Sequence, residues 1–246
     1  MSPDGGAPEQ LTFDASPDSD PRWSPDGSRL AFDSRREDGE RNIWVLEADG
    51  STFTPLTQDS GISNAFATWS PDGIHIAWAR DSEIWIMNSA DGKDPHRLTS
   101  GGRDSAPTWS STGVIAFQRT INGSLEIWTI PADGSADATP LLDAAQGGGG
   151  QPSWSPNGKR IAYSKVVDGV RRIWVANADA RSGRKNLTPG SGCPCEFPTW
   201  SPDGTQIAFE VSIPNKEQIA IVPAAGGTIR VITSGNSRNF VPGWAT

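Results

Sequence analysis

A tryptophan followed by Ser-Pro-Asp-Gly, or a close variant, returns along this chain every forty-odd residues. A chain that repeats at such a period makes its core by stacking copies against one another. The copies read "PRWSPDGSRLAF" from Pro21, "TWSPDGIHIAW" from Thr68, "TWSSTGVIAF" from Thr108, "SWSPNGKRIAY" from Ser153 and "TWSPDGTQIAF" from Thr199, and "PGW" follows at Pro242. The motif tryptophans fall at 23, 69, 109, 154, 200 and 244, which gives spacings of 46, 40, 45, 46 and 44. Two further signals recur between them in fixed order. One is an apolar pair at Ile43-Trp44, Ile84-Trp85, Ile127-Trp128 and Ile173-Trp174, degenerate at Ile219-Ala220. The other is a Leu-Thr step at Leu56-Thr57, Leu98-Thr99 and Leu187-Thr188, with Leu142-Asp143 and Ile232-Thr233 as variants.

Each period reads as four short strands. The first ends at the tryptophan. Ser-Pro-Asp-Gly then turns the chain, because Pro presets φ near about −65°, Asp bonds nearby backbone and Gly accepts positive φ. The second strand, "RLAF" or "RIAY", is expected to alternate outward polar with inward apolar positions. A variable loop leads to the third, "NIWVL" or "EIWIM", and an Asp-Gly turn leads to a fourth that ends in Leu-Thr. The expected fold is all-β: a β-propeller of four-stranded antiparallel blades in one domain, 1–246, as a five- or six-bladed ring. Five complete units span approximately 21–57, 67–99, 107–143, 152–188 and 198–233, with half-blade fragments at 1–13 and 238–246. In this frame the repeated Trp, Ile-Ala-Phe and Ile-Trp residues are core. The repeated Asp is turn chemistry rather than a metal ligand, since the fourth copy carries Asn157 and the third reads Ser-Ser-Thr-Gly.

Composition narrows the partners. A net charge of −8 and a pI near 4.8 argue against nucleic acid, whose phosphates call for a basic surface. No apolar run is long enough for a membrane span. The opening "MSPDGGAPEQ" has neither the basic region nor the apolar core of a signal peptide. Cys193 and Cys195, in "CPC", read as loop thiols or a local disulfide.

The stretch from Pro21 to Thr57, "PRWSPDGSRLAFDSRREDGERNIWVLEADGSTFTPLT", closely resembles the repeat of TolB-type propellers, the WD40-like PD40 repeat, and the likeness runs over nearly the whole chain. Propellers of this kind occur in the periplasmic Tol–Pal system, as gating domains of prolyl-oligopeptidase-type peptidases and in some polysaccharide lyases. The resemblance therefore implies the fold and a periplasmic or extracellular setting, and leaves function to be argued from sites. TolB proper carries an α/β domain ahead of a six-bladed propeller, and no residues for that domain are found here. "DGGAPEQLT" (Asp4 to Thr12) matches the tail of a unit and "NFVPGWAT" (Asn239 to Thr246) matches a head. These would be the outermost and innermost strands of a sixth blade. The terminal strands could close the ring in an unusual way, the chain could be a segment of a longer array, or a second copy could complete the blade in a homo-oligomer.

No enzyme is expected. There is no Gly-x-Ser-x-Gly elbow, and the two histidines, His75 and His96, read as surface or inter-blade residues. "GGGG" at 147–150 reads as a flexible connection between blades. The variable loops between blades open on one face, and loops on a rigid scaffold are where function concentrates. They bring Asp18, Asp20, Asn64, Phe66, Arg103, Asp104, Glu196, Phe197, Arg238, Asn239 and Phe240 towards the channel mouth. Exposed Phe beside mixed charges suits a protein-binding rim. The preferred reading is a non-catalytic scaffold for a protein or peptide partner, with no resident cofactor. One alternative is a small-molecule or glycan site in the channel, assisted by Ca²⁺ on Asp18, Asp20, Asp104 and Glu196. Another is a propeller segment of a larger protein, or an engineered repeat array, with no function of its own.

Overall fold

The computed structural model describes residues 9–36, 39–179, 182–190, 192, 194–214, 216–234 and 241–244. Five four-stranded antiparallel sheets form a propeller ring, each built from consecutive strands with the first innermost. Blade 1 holds β1 (Asp18–Trp23), β2 (Arg29–Ser34), β3 (Asn42–Glu47) and β4 (Phe53–Pro55); blade 2 holds β5 (Asn64–Trp69), β6 (His75–Arg80), β7 (Glu83–Asn88) and β8 (His96–Arg97). Blade 3 holds β9 (Asp104–Trp109), β10 (Val114–Ile121), β11 (Ser124–Pro131) and β12 (Thr139–Leu142); blade 4 holds β13 (Gly150–Trp154), β14 (Arg160–Val167), β15 (Val170–Asn177) and β16 (Lys185–Asn186). Blade 5 holds β17 (Cys195–Trp200), β18 (Gln206–Ile213), β19 (Lys216–Pro223) and β20 (Arg230–Val231).

The motif builds its own turn. Ser24 Oγ donates to Asp26 Oδ1 at 2.6 Å while accepting the Arg29 N–H at 2.9 Å, and Gly27, at φ 70°, donates its N–H to the Ser24 carbonyl at 2.9 Å. The Ser–Asp contact recurs at Ser70–Asp72 (2.5 Å) and Ser201–Asp203 (2.6 Å), and as Ser155–Asn157 (2.9 Å). Hydrogen bonds to the charged carboxylate favour it, and the Ser24 hydroxyl, followed by Ser28, holds Asp26 down at about 2.

The Leu-Thr step has an equally local cause. Oγ1 of Thr57, Thr99, Thr188 and Thr233 accepts the N–H of Ile43, Ile84, Ile173 and Ile219 at 2.9, 2.9, 3.0 and 2.9 Å. The hydroxyl thus satisfies the third strand where the short fourth strand leaves it. Blade 3 has Asp143 at this position, which instead caps the 3-10 turn Ala144–Gln146. Thr188→Val keeps the shape and strands the buried Ile173 N–H, at a cost of about 1–3 kcal/mol. A thermal melt of this variant should sit roughly 5 °C below wild type; an unchanged melt would show that the hydroxyl has no structural duty.

The strict in–out alternation expected of the second strand is not what forms. β2 and β3 are buried almost throughout, because each blade is covered on both faces by its neighbours. Ala31, Ile43, Val45 and Leu56 of blade 1 pack against Ala67, Trp69, Ile76, Trp78 and Met87 of blade 2, and the other blade-to-blade clusters follow the same register. The glycine run is also not a flexible connection. A Cβ at Gly148 would lie 2.4 Å from the Leu125 carbonyl oxygen, and one at Gly149 would lie 2.8 Å from the Tyr163 ring, so the backbone passes too close to blades 3 and 4 for any side chain.

Beside blade 5, residues 241–244 take the place of a further first strand. Trp69 Nε1 donates to the Arg22 carbonyl at 2.9 Å and Trp200 Nε1 to Ser153 at 3.0 Å; Trp244 Nε1 donates to Thr199 at 3.2 Å, the same register one blade on. Trp244 packs on Ala208, Ile219 and Ile221, and a Cβ at Gly243 would stand 3.1 Å from the Pro21 carbonyl oxygen of blade 1. On the other side of that position Leu11 packs against Leu30, Phe32, Trp44 and Leu46.

Candidate functional site

Every first strand slips register once. The breaks lie between Ser19 and Arg22, Ala65 and Thr68, Ser105 and Thr108, Gly150 and Ser153, and Glu196 and Thr199. In each bulge the residue three before the motif tryptophan is left-handed: Asp20 (φ 55°), Phe66 (59°), Ala106 (48°), Gln151 (53°) and Phe197 (51°), with Val241 (41°) in the same place. Pro follows at 21, 107, 152, 198 and 242, where a missing N–H takes nothing from the ladder. A non-glycine residue held left-handed stores roughly 1–3 kcal/mol, and such strain gathers at functional positions.

The N–H groups turned out of the ladder at the bulges are caught by the preceding blade. Phe66 N–H donates to Asp33 Oδ1 (3.2 Å), Gln151 N–H to Gln118 Oε1 (3.3 Å), Phe197 N–H to Gln151 Oε1 (3.1 Å) and Val241 N–H to Glu210 Oε2 (3.4 Å). The bulges converge on the central channel, whose lining includes Asp20, Arg22, Phe66, Thr108, Gln151, Ser153 and Phe197 around a narrow cavity of about 30 Å³. Arg41 reaches this wall from blade 1, pairing with Asp20 at 3.0 Å and Asp33 at 2.5 Å and lying 5.1 Å over the Phe66 ring. Burial pushes Asp20 and Asp33 above the usual carboxylate range, Asp33 further raised by the Asp20 charge, and pushes Arg22 down.

Of the residues expected at the mouth, Asp20, Phe66 and Phe197 do line the channel. Asp18 and Glu196 stand at the loop-face ends of β1 and β17, paired with Arg36 at 3.1 Å and Arg171 at 2.6 Å. Arg103 is exposed beside β9. Asn64 and Asp104 point into the fold instead. Asn64 bridges Asn42 (3.2 Å) and the Trp78 indole (2.8 Å), and Asp104 holds Arg119 in a two-point pair at 2.6 and 2.7 Å. Arg238, Asn239 and Phe240 lie outside the described residues, as does Cys193. Each of the four acids proposed for Ca²⁺ sits on an arginine, which a cation would have to displace.

Sequence reading missed Arg22, Arg41 and Gln151. The register held a signal for two of them, since Gln151 stands where Phe66 and Phe197 do, and Arg22 immediately precedes its tryptophan. Among the described residues no group of three or more His, Cys, Asp or Glu is placed to hold a metal ion. His75 stacks on Trp109 with ring centroids 6.5 Å apart, and His96 is exposed. No helix of the described residues is long and apolar enough to cross a membrane.

A family model described as the TolB beta propeller domain, PD40, matches residues 1–147 and 138–246. An uncharacterized protein of Agrobacterium fabrum is 32% identical over 144 residues, covering 56% of this chain and 47% of its own length. The Tol-Pal system protein TolB of Anaeromyxobacter dehalogenans is 35% identical over 112 residues, covering 43% of this chain and 25% of its own length. The matched stretch is thus less than half of either relative. Among solved structures, TolB from Acinetobacter baumannii superposes with a TM-score of 0.82 at 20% identity, over 99% of this chain and 61% of that one. At that identity the likeness speaks for the fold alone.

Proposed function

Because this chain belongs to the TolB β-propeller family, we propose that it is a non-catalytic scaffold whose loop face captures a protein or peptide partner around the channel mouth. The setting proposed for it is the periplasm, the compartment that the family resemblance implies. The observation that carries the reading is the convergence of Phe66 and Phe197, both in strained left-handed backbone, with Asp20, Arg22 and Gln151 on one lining. Aromatic side chains beside charges are the composition of binding hot spots. The strain fixes where they stand before a partner arrives, which lowers the ordering cost of association.

Phe66→Ala combined with Phe197→Ala removes both rings, at the cost of the edge contact that Phe66 makes with the cluster between blades 2 and 3. Cross-linking and quantitative capture from periplasmic extract should show partner recovery falling at least about tenfold, the equivalent of 1.4 kcal/mol, with circular dichroism unchanged. Equal recovery of the same partners by the folded double variant would end the proposal.

A further inference from the structure

We propose that the central channel seats a carboxylate at Arg22. Arg22 lines the lumen, and its guanidinium donates to a carbonyl of its own strand, Nη1 to Pro21 O at 2.9 Å. Among the described residues no carboxylate pairs with it. The two nearest opposing charges, Asp20 and Asp33, are already held by Arg41 at 3.0 and 2.5 Å. Arg22 therefore brings a planar fork of N–H donors into a confined space with most of them unclaimed, and that fork matches a carboxylate in two-point geometry. Burial acts against its charged form, and the charges of Asp20 and Asp33 act the other way without occupying its N–H donors.

The surroundings select among anions. Thr108 and Ser153, each the residue before its motif tryptophan as Arg22 is, line the same channel, the Thr108 hydroxyl accepting the Trp154 N–H at 3.5 Å. Phe66 and Phe197 give apolar walls. With Asp20 close by, a doubly charged phosphate would be repelled more than a single carboxylate carrying a small apolar group. The carboxylate has two possible sources: a small free acid, or an acidic side chain or chain end of the partner. In the second form the inference rests on the scaffold reading above; in the first it stands without it.

Sodium propanoate, compared with equal sodium chloride and with propanamide, tests the seat on the intact chain. At saturating propanoate the melting temperature should rise by about 3 °C or more, with no rise in the other two. Arg22→Met should abolish the rise, and Arg22→Lys should keep part of it. Should Arg22→Met fold poorly, the Arg22 Nε–H resonance of the wild type, assigned by its loss in Arg22→Lys, should move saturably with propanoate. An equal response to chloride, an undiminished rise in a folded Arg22→Met, or a stationary Arg22 resonance would each overturn the seat. A peptide amide with one Glu that binds at least tenfold tighter than propanoate and than its Gln twin identifies a polypeptide source, whereas affinity equal to propanoate identifies a free acid. If propanoate has no effect while Phe66→Ala with Phe197→Ala still loses the partner, the seat fails and the scaffold reading survives.

Discussion

Arg119→Met should lower the melting temperature by about 10 °C. Asp104, at the start of β9, is fully buried and takes both oxygens of its charge compensation from this one guanidinium, at 2.6 and 2.7 Å. Removing one partner of a buried pair leaves the other charge uncompensated, which costs about 3–5 kcal/mol. Arg119 also lies 4.5 Å over the Trp128 ring and 5.2 Å over Phe117, contacts worth roughly another 0.5–2 kcal/mol. For a chain of this length each kcal/mol moves the midpoint by about 2–4 °C. Asp104→Asn with Arg119→Met removes both charges and should recover most of the loss, because the penalty lies in the orphaned carboxylate. A single variant that melts within about 2 °C of wild type would show the pair to be ornamental.

That pair also marks where the sequence stopped being legible. The blades were readable because their causes repeat from copy to copy. A Ser-x-Asp turn, a Thr hydroxyl capping the third strand and a tryptophan fixed to the preceding blade recur at corresponding places in several units. The mouth was only half readable because its determinants differ from blade to blade. Asp104 and Asn64 look like solvated loop residues until Arg119, fifteen positions on, and Trp78 fold over them. Asp18 and Asp20 resemble calcium ligands until Arg36 and Arg41 arrive from the next loop. Residue type alone does not tell an acid facing water from one facing an arginine. The bulge was hidden for another reason: a left-handed Phe or Gln departs from ordinary backbone preference, so propensity points away from it. What betrays it is register, the same position in every copy, three residues before the tryptophan.

Glu210 carries that register to the seam beside blade 5, and it should make the seam sensitive to pH. Its carboxylate accepts the Val241 N–H at 3.4 Å, as Asp33 accepts Phe66 in blade 1. Burial pushes Glu210 up from 4.5 to about 7, with Glu196, Glu217 and Asp20 adding to the rise and the Val241 N–H opposing it. An acid raised in the folded state binds its proton more tightly there than in the unfolded chain, so folding is favoured while the proton stays on. Its contribution is full below about 4.5 and is lost as pH climbs through about 7. The melting temperature should therefore fall between pH 5 and pH 8, on the order of 2 kcal/mol or about 6 °C. Glu210→Gln keeps an oxygen for Val241 and removes the titration. It should melt above wild type at pH 8 and lose the slope between pH 6 and 8, where Asp33, raised only to about 6, contributes little. A wild-type midpoint that climbs steadily from pH 5 to 8, or a slope that survives in Glu210→Gln, would mean that Glu210 is charged and solvated in the folded chain. The fastening of residues 241–244 to blade 5 would then rest on the Trp244 contacts alone.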